Sequence, residues 1–298
     1  MSGSVASKSA GALYASRISR MRQEMQRRSI DATLLSIGHD LPYLTGYYAM
    51  PLERLTMLVV THESVSALVV PRLEAPRVTP FDDVFRIVPW GETENPVSIV
   101  AKLLGGAKTI AVGDQMWARF LVELMSFVTN AKFVRAVDVV GPMRMAKGAD
   151  EIKALQAAGA AADRVAMQLQ AGEIDLVGRT EAQVSADISA RLIDQGHDVV
   201  NFAIVAAGEN AASPHHHAGP RVIQKNEIVL CDFGGTMNGY CSDITRCVFV
   251  GTPSRKITSA YSVLHAAQAA GVKAGVVGAT CESVDAAARK IIDDAGFG

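Results

Sequence analysis

Across its 298 residues the sequence lacks a dominant charge: 29 Lys and Arg stand against 30 Asp and Glu. That balance removes the basic field on which nucleic-acid and anionic-lipid affinity rests, so neither nucleic acid nor a membrane is expected as a partner. No run approaches the ~18 uncharged apolar residues of a membrane span; Lys273 interrupts the Ala/Val/Gly tract near the end. Residues 1–15 are rich in Ser, Gly and Ala and carry no apolar block of a secretory signal. Cysteine is scarce. Cys231, Cys241, Cys247 and Cys281 contain no Cys-x-x-Cys pair, which argues against a disulfide framework or a zinc knuckle and for reduced, buried thiols in a cytoplasmic protein. A Gly-rich phosphate loop, a Gly-x-Ser-x-Gly elbow and internal repeats are also missing from the sequence.

What is present is globular: 49% hydrophobic and 20% charged residues, in a length of about two domains at roughly 150 residues each. Residues 1–15 read as disordered. A helix is predicted over 16–28, with Ile18, Met21 and Met25 on one face. Short apolar runs at 32–37, 56–61, 65–70, 84–88, 109–112 and 132–134 read as strands, with helical patterns at 97–104 and 117–127 between them. Strand and helix alternate, so residues 16–141 are expected to form an α/β domain. The Gly141-Pro142 dipeptide reads as a boundary.

A second domain is expected over 142–298. Ile152, Leu155, Ala158, Ala162, Ala166 and Leu169 make a helical stripe, weakened by Gly159. Thr180 and Gln183 have capping-box spacing ahead of Val184, Ile188 and Leu192, and Gly196 marks the helix stop. Late helices are predicted over 257–272 and 280–295, the second with Val284, Ile291 and Ile292 inside.

The chemistry is concentrated between these helix pairs. Residues 227–235 and 240–250 read as two strands of a hairpin whose connection carries Asn238-Gly239. If Met237-Asn238 is the central pair, Asp232 and Asp243 face each other; if Asn238-Gly239 is, they are diagonal neighbours. Asp232 falls within a run expected to be buried. Paired carboxylates repel and so suit a hard divalent cation; the plain alternative pairs Asp232 with Arg246 and leaves Asp243 capping a turn. Upstream, His215, His216 and His217 occupy a polar loop, and spacing does not choose among them. His39, His62, His197 and His265 receive no role.

Asn210-Ala-Ala-Ser-Pro-His215, Ile228-Val-Leu-Cys-Asp232-Phe-Gly-Gly235 and Gly239-Tyr-Cys-Ser-Asp243-Ile-Thr-Arg246 together resemble the Xaa-Pro aminopeptidase, prolidase and creatinase family. Arg144-Met-Ala-Lys147 with Glu151-Ile152, and Asp40-Leu-Pro-Tyr-Leu-Thr-Gly46, agree with its catalytic and N-terminal domains. The resemblance implies an α/β creatinase/prolidase-type N-terminal domain followed by an α+β pita-bread domain. It implies Asp232 and Asp243 as ligands of two divalent ions (Mn first, Co or Zn as alternatives), His215 as the catalytic-site histidine, and Thr245 and Arg246 as supports. The implied reaction is hydrolysis of the bond before proline in Xaa-Pro dipeptides or peptide N-termini, by a homo-oligomer, a dimer first. The family's remaining ligands, a His and two Glu, fall beyond the matched positions. The pita-bread domain is therefore expected to be incomplete, the 298 residues a truncated copy, and this chain alone inactive with weak metal affinity. Two other readings are a creatinase-like metal-independent amidinohydrolase and a non-catalytic pita-bread binding module.

Overall fold

A computed structural model describes residues 2–63 and 65–298, with side chains described from residue 10 onward. Two compact units divide between Lys147 and Gly148.

The first unit runs α1 (Ser2–Arg27), β1 (Ala32–Leu35), α2 (Asp40–Thr45), β2 (Met57–Thr61), β3 (Ser66–Pro71), β4 (Phe85–Trp90), α3 (Pro96–Leu103), β5 (Thr109–Val112), α4 (Ala118–Phe127), β6 (Lys132–Arg135) and α5 (Val137–Met145). Its six strands form one mixed sheet in the order β4-β3-β2-β1-β5-β6, with β1 antiparallel to β2 and parallel to β5. The strands read as unbroken apolar runs because both faces are covered. Leu35, Leu58, Val60 and Leu68 meet Ile18, Met21 and Met25 of α1 and Val139 and Val140 of α5. Leu34, Met57, Val59 and Val69 meet Val97 and Val100 of α3 and Phe120 and Leu124 of α4.

The first unit departs from expectation at both of its ends. The first helix begins at Ser2 rather than Ser16, and the segment expected to be disordered is helical where it is described. Tyr14 explains part of this: its ring packs edge-on against Phe81 at 5.2 Å, a partner distant in sequence. Met1 lies outside the described residues. The expected boundary at Gly141-Pro142 falls inside α5, whose Val139, Val140 and Met143 are buried in the first unit. Tyr43 Oη donates to the Met143 carbonyl at 3.2 Å and Arg144 pairs with Asp40 at 2.8 Å, so α5 is tied to α2 and belongs with what precedes it.

The second unit comprises α6 (Ala149–Gln170), α7 (Glu181–Asp194), β7 (Val199–Ala207), β8 (Ile228–Met237), β9 (Tyr240–Cys241), β10 (Ile244–Phe249), α8 (Arg255–Ala274) and α9 (Cys281–Asp294). The strands form an antiparallel sheet with β8 between β7 and β10. The capping box at α7 is as expected: the Gln183 N–H donates to Thr180 Oγ1 and the Thr180 N–H to Gln183 Oε1. Val184, Ile188 and Leu192 of α7 and Ala162, Val165, Ala166 and Leu169 of α6 pack on Val205, Val229, Cys231 and Phe233. The N-terminal turns of α6 do not share in this, and Ile152 is 47% exposed. In α9, Val284, Ile291 and Ile292 are half-buried rather than inside.

Of the cysteines, Cys231 is buried, and burial, with a smaller contribution from Cys247, pushes its thiol up to about 12. Cys241 and Cys281 are exposed, against the expectation of burial. No described helix is long and apolar enough to cross a membrane.

Gly159 provides a test of the α6 packing. A Cβ built there meets no atom within 4 Å. Gly159→Ala is therefore expected to stabilise the protein by about 0.5–1 kcal/mol, through helix propensity without overpacking. Denaturant unfolding measures it, and destabilisation would show that the surroundings of this helix face are misplaced.

Candidate active site

The site is built on one hairpin. Asn238 and Gly239 adopt positive φ, 50° and 80°, which suits the tight turn that the Asn-Gly pair favours. Met237 pairs with Tyr240, Thr236 with Cys241, Phe233 with Ile244 and Asp232 with Thr245. Asp243 therefore falls opposite Gly234, two residues along from Asp232. The carboxylates are diagonal neighbours on one face, and the face-to-face alternative does not hold. Such positions are ~7–8 Å apart at the backbone, a separation that an ion held between two short carboxylates can bridge.

Alternation along the strands divides the sheet chemically. Val205, Val229, Cys231 and Phe233 point to the helices and are buried. Asp232, Asp243 and Thr245 share the other face with Phe202 and Ile204 of β7. Asp232 is half-buried and Asp243 exposed, so the burial expected for Asp232 applies only to its neighbours in sequence. Thr245 Oγ1 donates to Asp232 Oδ1 at 2.9 Å, an orienting bond for the carboxylate. Arg246 pairs in register with Cys231 on the helix-facing side, and its Nη1 donates to the Thr245 carbonyl at 2.9 Å. It braces the strand and does not neutralise Asp232.

The glycines after Asp232 have a steric cause. A Cβ on Gly234 would stand 2.1 Å from the Ser242 carbonyl oxygen; one on Gly235 would stand 2.6 Å from the Val199 carbonyl oxygen and 2.7 Å from the His197 ring. His197 is buried. Its Nδ1 lies 3.0 Å from the Leu192 carbonyl, which requires an N–H there, and in the neutral ring Nε2 then accepts from Ser242 Oγ at 2.8 Å. Ser242 Oγ in turn accepts from the Gly235 N–H at 3.2 Å. His197 thereby anchors the residue next to Asp243, a role its sequence surroundings do not reveal.

The histidine loop follows β7, with a 3-10 turn at Gly208–Ala212. His215 and His217 are exposed, while His216 is held: its Nε2 lies 2.8 Å from Glu181 Oε2. Glu181 is fully buried. Burial favours its protonated form, but bonds from the Asn210 side chain, the Ala207 N–H, His216 and the Gly219 N–H outweigh this and hold the carboxyl below its ordinary 4.5.

As a metal centre, two carboxylates on an exposed face offer the oxygen donors that a hard divalent ion takes. Among the described residues no group of three or more His, Cys, Asp or Glu is placed to hold an ion.

Residues 152–298 match Peptidase_M24, Metallopeptidase family M24, and residues 17–146 match Creatinase_N, the Creatinase/Prolidase N-terminal domain. The chain is 37% identical to the probable dipeptidase PepE of Mycobacterium tuberculosis, over 96% of this chain and 76% of that protein. It belongs to metallopeptidase family M24. Among solved structures, dipeptidase PepE from Mycobacterium ulcerans superposes with a TM-score of 0.88 at 39% identity, covering 96% of this chain and 78% of that one. A recombinant prolidase from Thermococcus sibiricus gives 0.89 at 31% identity, with the same coverages. A Xaa-Pro dipeptidase from Bacillus anthracis gives 0.84 at 26%, covering 96% and 79%. The fold is thus a creatinase-type N-terminal domain plus an M24 catalytic domain, and the activity class is that of a peptidase.

Two outcomes test this geometry. Gly234→Ala should cost about 3 kcal/mol or more in unfolding free energy, because the new methyl meets a backbone oxygen that the ladder fixes; a cost near zero would contradict the close approach. Glu181, ionised in the folded state below its ordinary pKa, contributes stability that is present above about 4.5 and lost as pH falls through the lower folded value. The stability gap between the wild type and Glu181→Gln should therefore narrow on acidification below about pH 4.5. A gap that widens there would reverse the sign.

Proposed function

We propose that the protein is a metal-dependent peptidase that hydrolyses the bond before proline in Xaa-Pro dipeptides or at peptide N-termini. The observation that carries this reading is the placement of Asp232 and Asp243 on one open face, with Thr245 fixing Asp232. The relatives support it: those named above are a dipeptidase, a prolidase and a Xaa-Pro dipeptidase.

In this reading Asp232 and Asp243 hold divalent ions, Mn²⁺ first and Co²⁺ or Zn²⁺ as alternatives. Such ions, when bound, acidify water and polarise a scissile carbonyl, so no protein nucleophile is required. Asp232 enters that role already oriented by the Thr245 hydroxyl, and the His197–Ser242–Gly235 bonds hold the backbone beside Asp243. His215, exposed on its loop, serves the substrate as a hydrogen-bond donor or proton shuttle near neutral pH. Phe202 and Ile204 supply apolar surface on the same face. A cytoplasmic homodimer completes the reading.

The test is hydrolysis by the protein supplied with Mn²⁺. Xaa-Pro dipeptides should be cleaved in preference to dipeptides without proline. Asp232→Asn and Asp243→Asn should each lower kcat/KM by at least about a thousandfold, as loss of a ligand removes the ion's contribution. Activity indifferent to both substitutions would overturn the assignment.

A further inference from the structure

Glu181 is a fully buried carboxylate that the proposed reaction does not use. Its four donors come from the end of β7 and the loop that follows it, residues 207–219. Oε1 accepts from the Ala207 N–H at 2.8 Å and from Asn210 Nδ2 at 2.9 Å. Oε2 faces His216 Nε2 at 2.8 Å and accepts from the Gly219 N–H at 3.3 Å. The backbone repeats the grip: the Ala182 N–H donates to the Gly219 carbonyl and the Glu181 N–H to the Arg221 carbonyl, both at 3.0 Å. One side chain at the start of α7 therefore pins the last residue of β7 and the start, middle and end of the loop after it, which has no strand or α-helix of its own.

The charge is met locally. Arg221 feels the Glu181 charge, but its guanidinium is taken by Glu227, at 2.9 and 2.7 Å, with Glu209 beside it. That leaves Glu181 to the loop's amides and to His216. With His216 bound inward, His215 is left on the exposed side of the loop.

We infer that Glu181 is the positioning residue of the His215 loop, acting through His216 and Asn210. The inference rests on the reading of His215 as a substrate-site residue and adds the element that fixes it. Four donors aimed at one buried carboxylate leave no room for an acid of different length or for an amide, whose NH₂ would face donors.

The experiment uses the full chain and three variants: Glu181→Gln, His216→Leu and His216→Gln. Amide exchange is followed by mass spectrometry, and the His216 ring nitrogens by NMR in the wild type and Glu181→Gln. In Glu181→Gln and His216→Leu the Ala207 amide at the end of β7 and the loop amides, Gly219 among them, should exchange at least about tenfold faster, as loss of a charged hydrogen bond implies, while β8 amides stay within about twofold. The His216 ring resonances should move in Glu181→Gln. His216→Gln, which keeps a donor, should restore loop protection where His216→Leu does not. Unchanged loop exchange in both Glu181→Gln and His216→Leu overturns the inference, and so does equal acceleration throughout β8, which marks a general structural residue. If Glu181→Gln fails to fold, the His216 pair decides the matter by the presence or absence of rescue. His215→Ala separates the two levels. Lost peptide turnover with an intact loop supports both; retained turnover with an intact loop sinks the role of His215 and leaves the clamp standing as a clamp without a catalytic purpose.

Discussion

A carboxylate in the central strand of a sheet must have somewhere polar to go, and the second unit is organised by that requirement. Strand β8 is paired on both edges, so its backbone is satisfied by β7 and β10. One of its faces is closed by α6 and α7 through Val229, Cys231 and Phe233. Asp232 is tolerable there because alternation puts it on the other face, beside the Thr245 hydroxyl. Shift the register by one residue and the carboxylate enters the apolar core, at a cost of several kcal/mol. The burial of Cys231 and Phe233 thus keeps Asp232 off the helix-covered face.

The same constraint explains features that look unrelated in the sequence. Gly234 and Gly235 are small because Ser242 and Val199 carbonyls pass within contact of where a Cβ would stand. His197 is buried because it accepts from the serine whose hydroxyl receives the Gly235 N–H. These contacts hold the return strand against β8 and set where Asp243 emerges.

Much of this was legible in the sequence, for identifiable reasons. The strands of the first unit announce themselves because a sheet covered on both faces needs apolar residues at every position. The α7 capping box is local chemistry and reads directly. The hairpin was legible as a hairpin, but its register was not: the Asn-Gly pair allows two centres, and the left-handed backbone at Asn238 decides between them. The Ser/Ala/Gly start of α1 carries little intrinsic helix signal, and its order depends in part on Tyr14 meeting Phe81, 67 residues away. Pro142 suggested an end because it removes one helical bond, yet burial of Val139, Val140 and Met143 carries α5 through it. Glu181 was invisible. A Glu just after an N-cap usually serves the helix dipole from the surface, and its partners here, Asn210 and His216, lie 29 and 35 positions downstream.

The central claim is that Asp232 and Asp243 form one cation site. Its most direct measurement is the free Mn²⁺ signal by electron paramagnetic resonance during titration of the wild type, Asp232→Asn and Asp243→Asn. The wild type should bind in about the millimolar range, as expected for few oxygen ligands, and both variants should lose that binding. Binding that survives either substitution unchanged, or a wild type that takes up no Mn²⁺ beyond the level of the variants, would contradict a shared site.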